Sequence, residues 1–205
     1  LNAHGRKVGM ISVHLFRPFS AEYFLKSLPE TVIRVAVLDR TKESGSAGEP
    51  LYLDVKSVLV DSGRTFHAIV GGRFGLSGKD TTPGMMKAVY DNLLTPKPKN
   101  SFTIGIDDDV TFTSLPYQEI NTDTPGQVSC KLWGVGGDGT VGANKNSVKI
   151  IGDATDKYTQ AYFYYDAKKS GGVTQSHLRF SDQPIHATYL VQSADFVAVH
   201  NAAYL

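Results

Sequence analysis

The sequence predicts an α/β protein of two consecutive three-layer units, each built on a mostly parallel sheet. Three observations carry that expectation. Short apolar, β-branched runs alternate with segments whose apolar residues recur at helical spacing. One stretch, Pro116 to Gln127, lacks such periodicity and holds Pro116, Pro125 and Gly126, the composition of a linker between two units. Beyond it, an apolar run empties into the closely spaced glycines of Gly134-Val135-Gly136-Gly137-Asp138-Gly139 and then into a helix-compatible segment.

Taken in order, Val8 to Phe16 is rich in apolar and β-branched residues and reads as a strand closed by Arg17-Pro18. Ser20 caps a short helix through Leu25. Val32 to Leu38 is continuously apolar rather than alternating, which suits a strand buried on both faces of a parallel sheet. Leu51, Val55, Val58 and Leu59 form the stripe of an amphipathic helix. Ala68 to Val70 is the next strand, opening into Gly71-Gly72-Arg73-Phe74-Gly75. Pro83 sits at a first helical position, and Met85, Met86, Val89 and Leu93 supply that helix's buried face, the methionines as core fillers. Phe102 to Ile106 is a further strand, followed by Asp107-Asp108-Asp109. Consecutive carboxylates on an extended chain point to opposite sides, so the triplet reads as a solvated turn rather than a metal site. In the second unit Val128–Trp133, Tyr158–Tyr165, Val173–Phe180 and Ala187–Val191 read as strands, with a helix from the glycine loop to about Ile151. Asp182-Gln183-Pro184 is a turn, and Asp195 to His200 is again strand-like.

Composition narrows the function classes. Lys and Arg number 21 against 20 Asp and Glu, so no global field draws nucleic acid or an anionic membrane. No apolar run approaches spanning length, and no N-terminal stretch reads as a secretory signal. The single cysteine, Cys130, excludes a disulfide framework and a cysteine-held iron–sulfur cluster within this chain, and reads as a buried structural thiol. His177, His186 and His200 show no metal-ligand spacing and read as hydrogen-bonded structural residues. Ser176 has no adjacent base, so a catalytic triad is not indicated. The expectation is a reduced, soluble, cytoplasmic protein with no metal site of its own. The opening at Leu1 and the strand-like end near Leu205 read as a piece of a longer polypeptide.

The glycine loop is where chemistry concentrates. Glycine allows close backbone approach and positive φ, and free N–H groups at a helix start face an anion. Gly134, Gly136 and Gly139 satisfy G-x-G-x-x-G, a weak signal alone. Asp166, at the end of the following strand, is placed for the ribose of a nicotinamide dinucleotide. Lys168, Lys169, Ser170, Gly171 and Gly172 instead crowd cationic and backbone donors there, which favours a phosphorylated ribose. Pattern alone leaves both readings open.

The run from Cys130 to Lys145, the segment Tyr165 to Thr174 continuing through Ser176-His177-Leu178-Arg179-Phe180, and Val37 to Glu43 with Gly48 to Val55 resemble the pyruvate:ferredoxin (flavodoxin) oxidoreductases. The resemblance implies a transketolase C-terminal-like domain over residues 1–116, a linker over 117–127, and over 128–205 the start of an open, Rossmann-like gamma-type domain that contacts coenzyme A. It implies pyruvate decarboxylation on thiamine diphosphate with magnesium, electron transfer through iron–sulfur clusters to ferredoxin or flavodoxin, and release of acetyl onto coenzyme A. The thiamine site, the metal and the clusters would lie in other domains of a homodimeric parent enzyme. The first unit would be architectural, so Asp39, Arg40, Lys42 and Glu43 take loop-stabilising or interdomain roles and no catalytic one. Gly136, Gly137, Asp138, Gly139 and Thr140 would cradle a phosphate of coenzyme A, with charge from Lys168 or Lys169. Reuse of the same fold as a non-catalytic module in another multidomain flavoprotein is the competing reading.

Overall fold

A computed structural model describes residues 1–108, 110–168 and 171–204. The chain divides into two compact units, Leu1–Ile120 and Asn121–Leu205.

The first unit is built on three parallel strands, β1 (Arg34–Asp39), β2 (Ala68–Arg73) and β3 (Phe102–Thr103), in that order, with Arg34 opposite Ala68 and Gly72 opposite Phe102. Helix α1 (Ala21–Ser27) starts at Ser20, whose hydroxyl accepts from the Tyr23 amide at 3.4 Å. Helices α2 (Pro50–Asp61) and α3 (Pro83–Leu94) both carry proline in the first turn, where the missing N–H has no helical partner to lose. Alternate strand residues feed two cores. Val35, Val37 and Ile69 pack with Tyr52, Val55 and Leu59 of α2, while Ala36, Leu38 and Val70 pack with Met85, Val89 and Leu93 of α3. The sheet is therefore covered on both faces, as its continuous apolar strands require.

Residues 8–16 differ from expectation. They form no strand, and Met10 and Leu15 are 83% and 70% exposed. β propensity alone does not make a strand without a partner edge. This segment is held instead by Arg6–Asp91 at 2.6 Å and by the Tyr90 hydroxyl donating to the Gly9 carbonyl at 3.0 Å. Beside the acidic triplet, the Asp108 carboxylate accepts from the amides of Val110, Thr111 and Thr113. Asp109 lies outside the described residues.

The second unit contains β4 (Val128–Val135), α4 (Thr140–Ala154), β5 (Tyr158–Tyr165), β6 (Val173–Ser181) and β7 (Phe196–Val199), in sheet order β5-β6-β4-β7. The α/β class holds, but this sheet is mixed rather than mostly parallel. Only β4–β7 is parallel, whereas β6 runs antiparallel to both β4 and β5. The connection over residues 166–172 explains it, because a parallel crossover needs about a dozen residues or more. One face of the sheet is covered by α4 through Thr140, Asn144, Val148 and Ile151. The other carries no helix among the described residues. Residues 187–191, expected as a strand, lie across that face and spend their backbone on side chains. The Ala187 carbonyl accepts from Gln160 Nε2 at 2.6 Å, and the Val191 amide donates to His177 Nδ1 at 3.2 Å. Cys130 and His177 are buried, consistent with structural roles, and burial pushes the Cys130 thiol up from its ordinary pKa.

Close approach fixes two glycines of β2. A methyl at Gly71 would sit 2.7 Å from Cγ of buried Tyr52, and one at Gly72 would overlap the ring of fully buried Phe102. Gly72→Ala is expected to destabilise the chain by about 1–3 kcal/mol through overpacking, read as a lower urea midpoint. An unchanged midpoint would show that the ring has room to move.

Candidate functional site

The site is assembled at one end of the second sheet. Strand β4 ends at Val135, opposite the first residue of β6, Val173. Beyond these ends the two chains continue to pair: the Gly136 amide donates to the Gly172 carbonyl at 2.8 Å, and the Gly171 amide reaches the Gly136 carbonyl at 3.4 Å. The Asp166 amide donates to Val173 at 3.1 Å and closes the second loop. The glycine loop and the 166–172 loop are thereby held side by side.

Each glycine of the motif has a separate reason. A methyl at Gly134 would lie 2.7 Å from Thr140 Oγ1 and 2.8 Å from Asp138 Oδ2, so its absence lets α4 begin directly over the strand. Gly136 makes the backbone exchange just described. Gly137 and Gly139 have φ of 98° and 85°, the left-handed region that side chains resist. Gly139 is the residue before α4, and its carbonyl accepts from the Ala143 amide at 2.9 Å.

Asp138 turns back into the loop. Its carboxylate accepts from the Val135 amide at 2.7 Å and the Thr140 amide at 2.8 Å. The Val135 amide is the main cause that holds this carboxyl below the usual range, with the Thr140 bonds and His200 adding to it. The Asp138 side chain thus fastens the loop. The amides of Gly137, Gly139, Val141 and Gly142 make no hydrogen bond with a described residue, and they are the donors available to a phosphate. Thr140 is 5% exposed, and its hydroxyl lies 2.8 Å from Nδ1 of His200. Lys168 is exposed on the adjoining loop. Lys169 lies outside the described residues.

Sequence reasoning left His200 out of this site. It follows β7, about sixty residues after the loop, and only the pairing of β7 with β4 brings it there; the His200 amide donates to the Trp133 carbonyl at 3.0 Å. The nicotinamide arrangement is disfavoured by the same topology. Asp166 follows β5, which is separated from β4 by an antiparallel strand, so the acid stands about 10 Å across the sheet rather than on the neighbouring parallel strand.

The first unit arranges its own strand end differently. Asp39, at the end of β1, accepts from the amides of Leu51 and Tyr52 at 3.0 and 3.1 Å, and burial raises its pKa despite those bonds. Arg73 stands 3.7 Å from buried Glu49, and Arg40 donates to the Gly75 carbonyl. A cleft of about 390 Å³ elsewhere in this unit is bordered by Gly84, Lys87, Asp91 and Tyr117, with Lys87 already paired to Asp91 at 2.7 Å. It brings no reactive group together. Among the described residues no three His, Cys, Asp or Glu side chains converge on a point that suits a metal ion. None of the helices there is long and apolar enough to cross a membrane.

Comparison with known proteins gives two family matches. Residues 1–86 match the model described as pyruvate:ferredoxin oxidoreductase core domain II, and residues 129–205 match pyruvate ferredoxin/flavodoxin oxidoreductase. The chain is 61% identical over 202 residues to the pyruvate:ferredoxin oxidoreductase of Moorella thermoacetica, covering 98% of this chain and 17% of that one. It is 56% identical to the pyruvate-flavodoxin oxidoreductase of Enterobacter agglomerans, covering 100% and 18%. It is 52% identical to a pyruvate dehydrogenase [NADP(+)] of Cryptosporidium parvum, covering 97% and 10%. The chain spans less than a fifth of the length of these curated relatives.

The Asp138 fastening is testable by its pH dependence. Asp138→Ala is expected to cost about 0.5–1 kcal/mol at pH 7, a capping contribution reduced by solvent screening. The folded-state pKa is depressed, so this contribution is present above the ordinary carboxylate range and lost as pH falls through the folded value. Urea midpoints of the two forms should therefore converge below about pH 4; a gap that persists there would assign the effect to packing.

Proposed function

Because the chain belongs to the pyruvate:ferredoxin/flavodoxin oxidoreductase family, we propose that it serves an enzyme converting pyruvate, coenzyme A and an oxidised acceptor into acetyl-coenzyme A, carbon dioxide and the reduced acceptor. Ferredoxin or flavodoxin is the acceptor, as the relatives' names suggest. The parent enzyme is a cytoplasmic homodimer on this reading. Its first domain, residues 1–116, is architectural, and its second, from residue 128, contributes to binding coenzyme A.

The single observation that carries the coenzyme A assignment is the pairing of Gly136 with Gly171 and Gly172. It sets the unengaged amides of Gly137 and Gly139 beside the loop that bears Lys168 and Lys169. Neutral amides and ammonium groups are the donors that phosphate oxygens take. The ribose 3′-phosphate of coenzyme A would meet the lysines, and a second phosphate would sit at the start of α4.

The family implies thiamine diphosphate and iron–sulfur clusters, with magnesium alongside the diphosphate. The residues here do not fit those groups. One thiolate cannot hold a cluster, and no carboxylate set among the described residues suits the metal. Electron transfer and carbon–carbon cleavage belong to other parts of the parent enzyme, and this segment's chemistry is binding and orientation. The 52% identity to a pyruvate dehydrogenase named for NADP(+) keeps a second reading in view, in which the same segment serves a protein with a different electron acceptor.

Exchanging Lys168 and Lys169 together for alanine in the full-length enzyme tests the ligand. A lost charge-assisted hydrogen bond is worth roughly 1.5–3 kcal/mol, so coenzyme A should weaken by about tenfold or more. Dephospho-coenzyme A, lacking the 3′-phosphate, should weaken less. Gly137→Val should impair both ligands, provided the variant is first shown to be folded, since φ of 98° strains any side chain there. Unchanged affinity in all variants would leave the glycines as a structural turn. The 205-residue chain alone, supplied with thiamine diphosphate and magnesium, is expected not to reduce a viologen dye with pyruvate; turnover would overturn the division of labour.

A further inference from the structure

We infer that His200 is a positioning residue for the coenzyme A loop, acting through the Thr140 hydroxyl; this rests on the ligand reading above. Thr140 Oγ1 lies 2.8 Å from Nδ1 of His200, and the Thr140 amide donates to the Asp138 carboxylate at 2.8 Å. A threonine hydroxyl both donates and accepts, so it pairs with Nδ1 in either tautomer of the ring.

The result is a linked set of hydrogen bonds, from the His200 ring to the Thr140 hydroxyl and from the Thr140 amide to Asp138. Asp138 in turn takes the amides of Val135 and Thr140. The far end is anchored on the sheet, where the His200 amide donates to Trp133 and Val199 pairs with the same residue. Thr140 is the first residue of α4 and is buried, so its hydroxyl has no water to replace a lost partner. Without the histidine ring, the Thr140 hydroxyl loses this partner, and the start of α4, whose amide holds Asp138, is less firmly fixed. The amides of Gly137 and Gly139 sit directly on this fastening and would drift from the ligand.

The test uses the full-length enzyme and three substitutions. Asparagine places a polar atom near the position of Nδ1, glutamine places one near Nε2, and alanine removes it. His200→Ala and His200→Gln should raise the KM for coenzyme A about threefold to tenfold, the range for one net hydrogen bond, and leave the KM for pyruvate unchanged. His200→Asn should restore the coenzyme A value. If the alanine form does not fold, the asparagine–glutamine pair carries the comparison. Should glutamine and asparagine both match the original enzyme while the double-lysine variant still weakens coenzyme A, the positioning role is overturned and the ligand reading stands. Equal impairment by both would overturn it too, because the polar group's position would not matter. No change in any variant, lysines included, would sink the ligand reading itself.

Discussion

The second unit depends on one backbone exchange, that between Gly136 and the Gly171–Gly172 pair. It extends the β4–β6 ladder past the last side chains of both strands. Two loops that would otherwise fray independently are made into one surface. Gly134 then lets α4 start against the strand, Asp138 ties the loop to Val135 and Thr140, and His200 meets Thr140 from β7. A side chain at 172 would work against this arrangement. A methyl at Gly172 would lie 2.7 Å from the Lys168 carbonyl and force the lysine-bearing loop outward.

Much of this was legible in the sequence, and the rest was not, for identifiable reasons. Helix positions were clear because their stripes are long: Val55 and Leu59, or Met85, Val89 and Leu93, are buried as spaced. Strand existence was equally clear for β1, β4, β5 and β6. Strand direction was not, since apolar content reads alike in either sense, and only the short 166–172 connection carried the information. Residues 8–16 and 187–191 have strand composition without a strand's partner. The glycine loop was found by spacing, but the fastening by the Asp138 side chain was not. Its role depends on which amides it faces, and no local pattern reports that. His200 was invisible because its link to Thr140 is set by sheet pairing across about sixty residues.

The two units use the same device to different ends. In each, an aspartate near a strand's end takes amides at the start of the following helix. Asp39 takes those of Leu51 and Tyr52, and Asp138 takes that of Thr140. In the first unit the space above the helix start is filled. The Tyr52 ring lies where a methyl at Gly48 or Gly71 would stand, and Glu49 and Arg73 close the surroundings. Both carboxyl oxygens of Asp39 are spent, and burial lifts its pKa, the mark of a sealed environment. In the second unit no described atom lies within 4 Å of a methyl built at Gly137 or Gly139, and Asp138 stays exposed with its carboxyl below the usual range. A helix start plugged by an aromatic ring is a joint; one left open, with unengaged amides, has room for a ligand. That contrast, and not the glycine count, is what distinguishes the two strand ends.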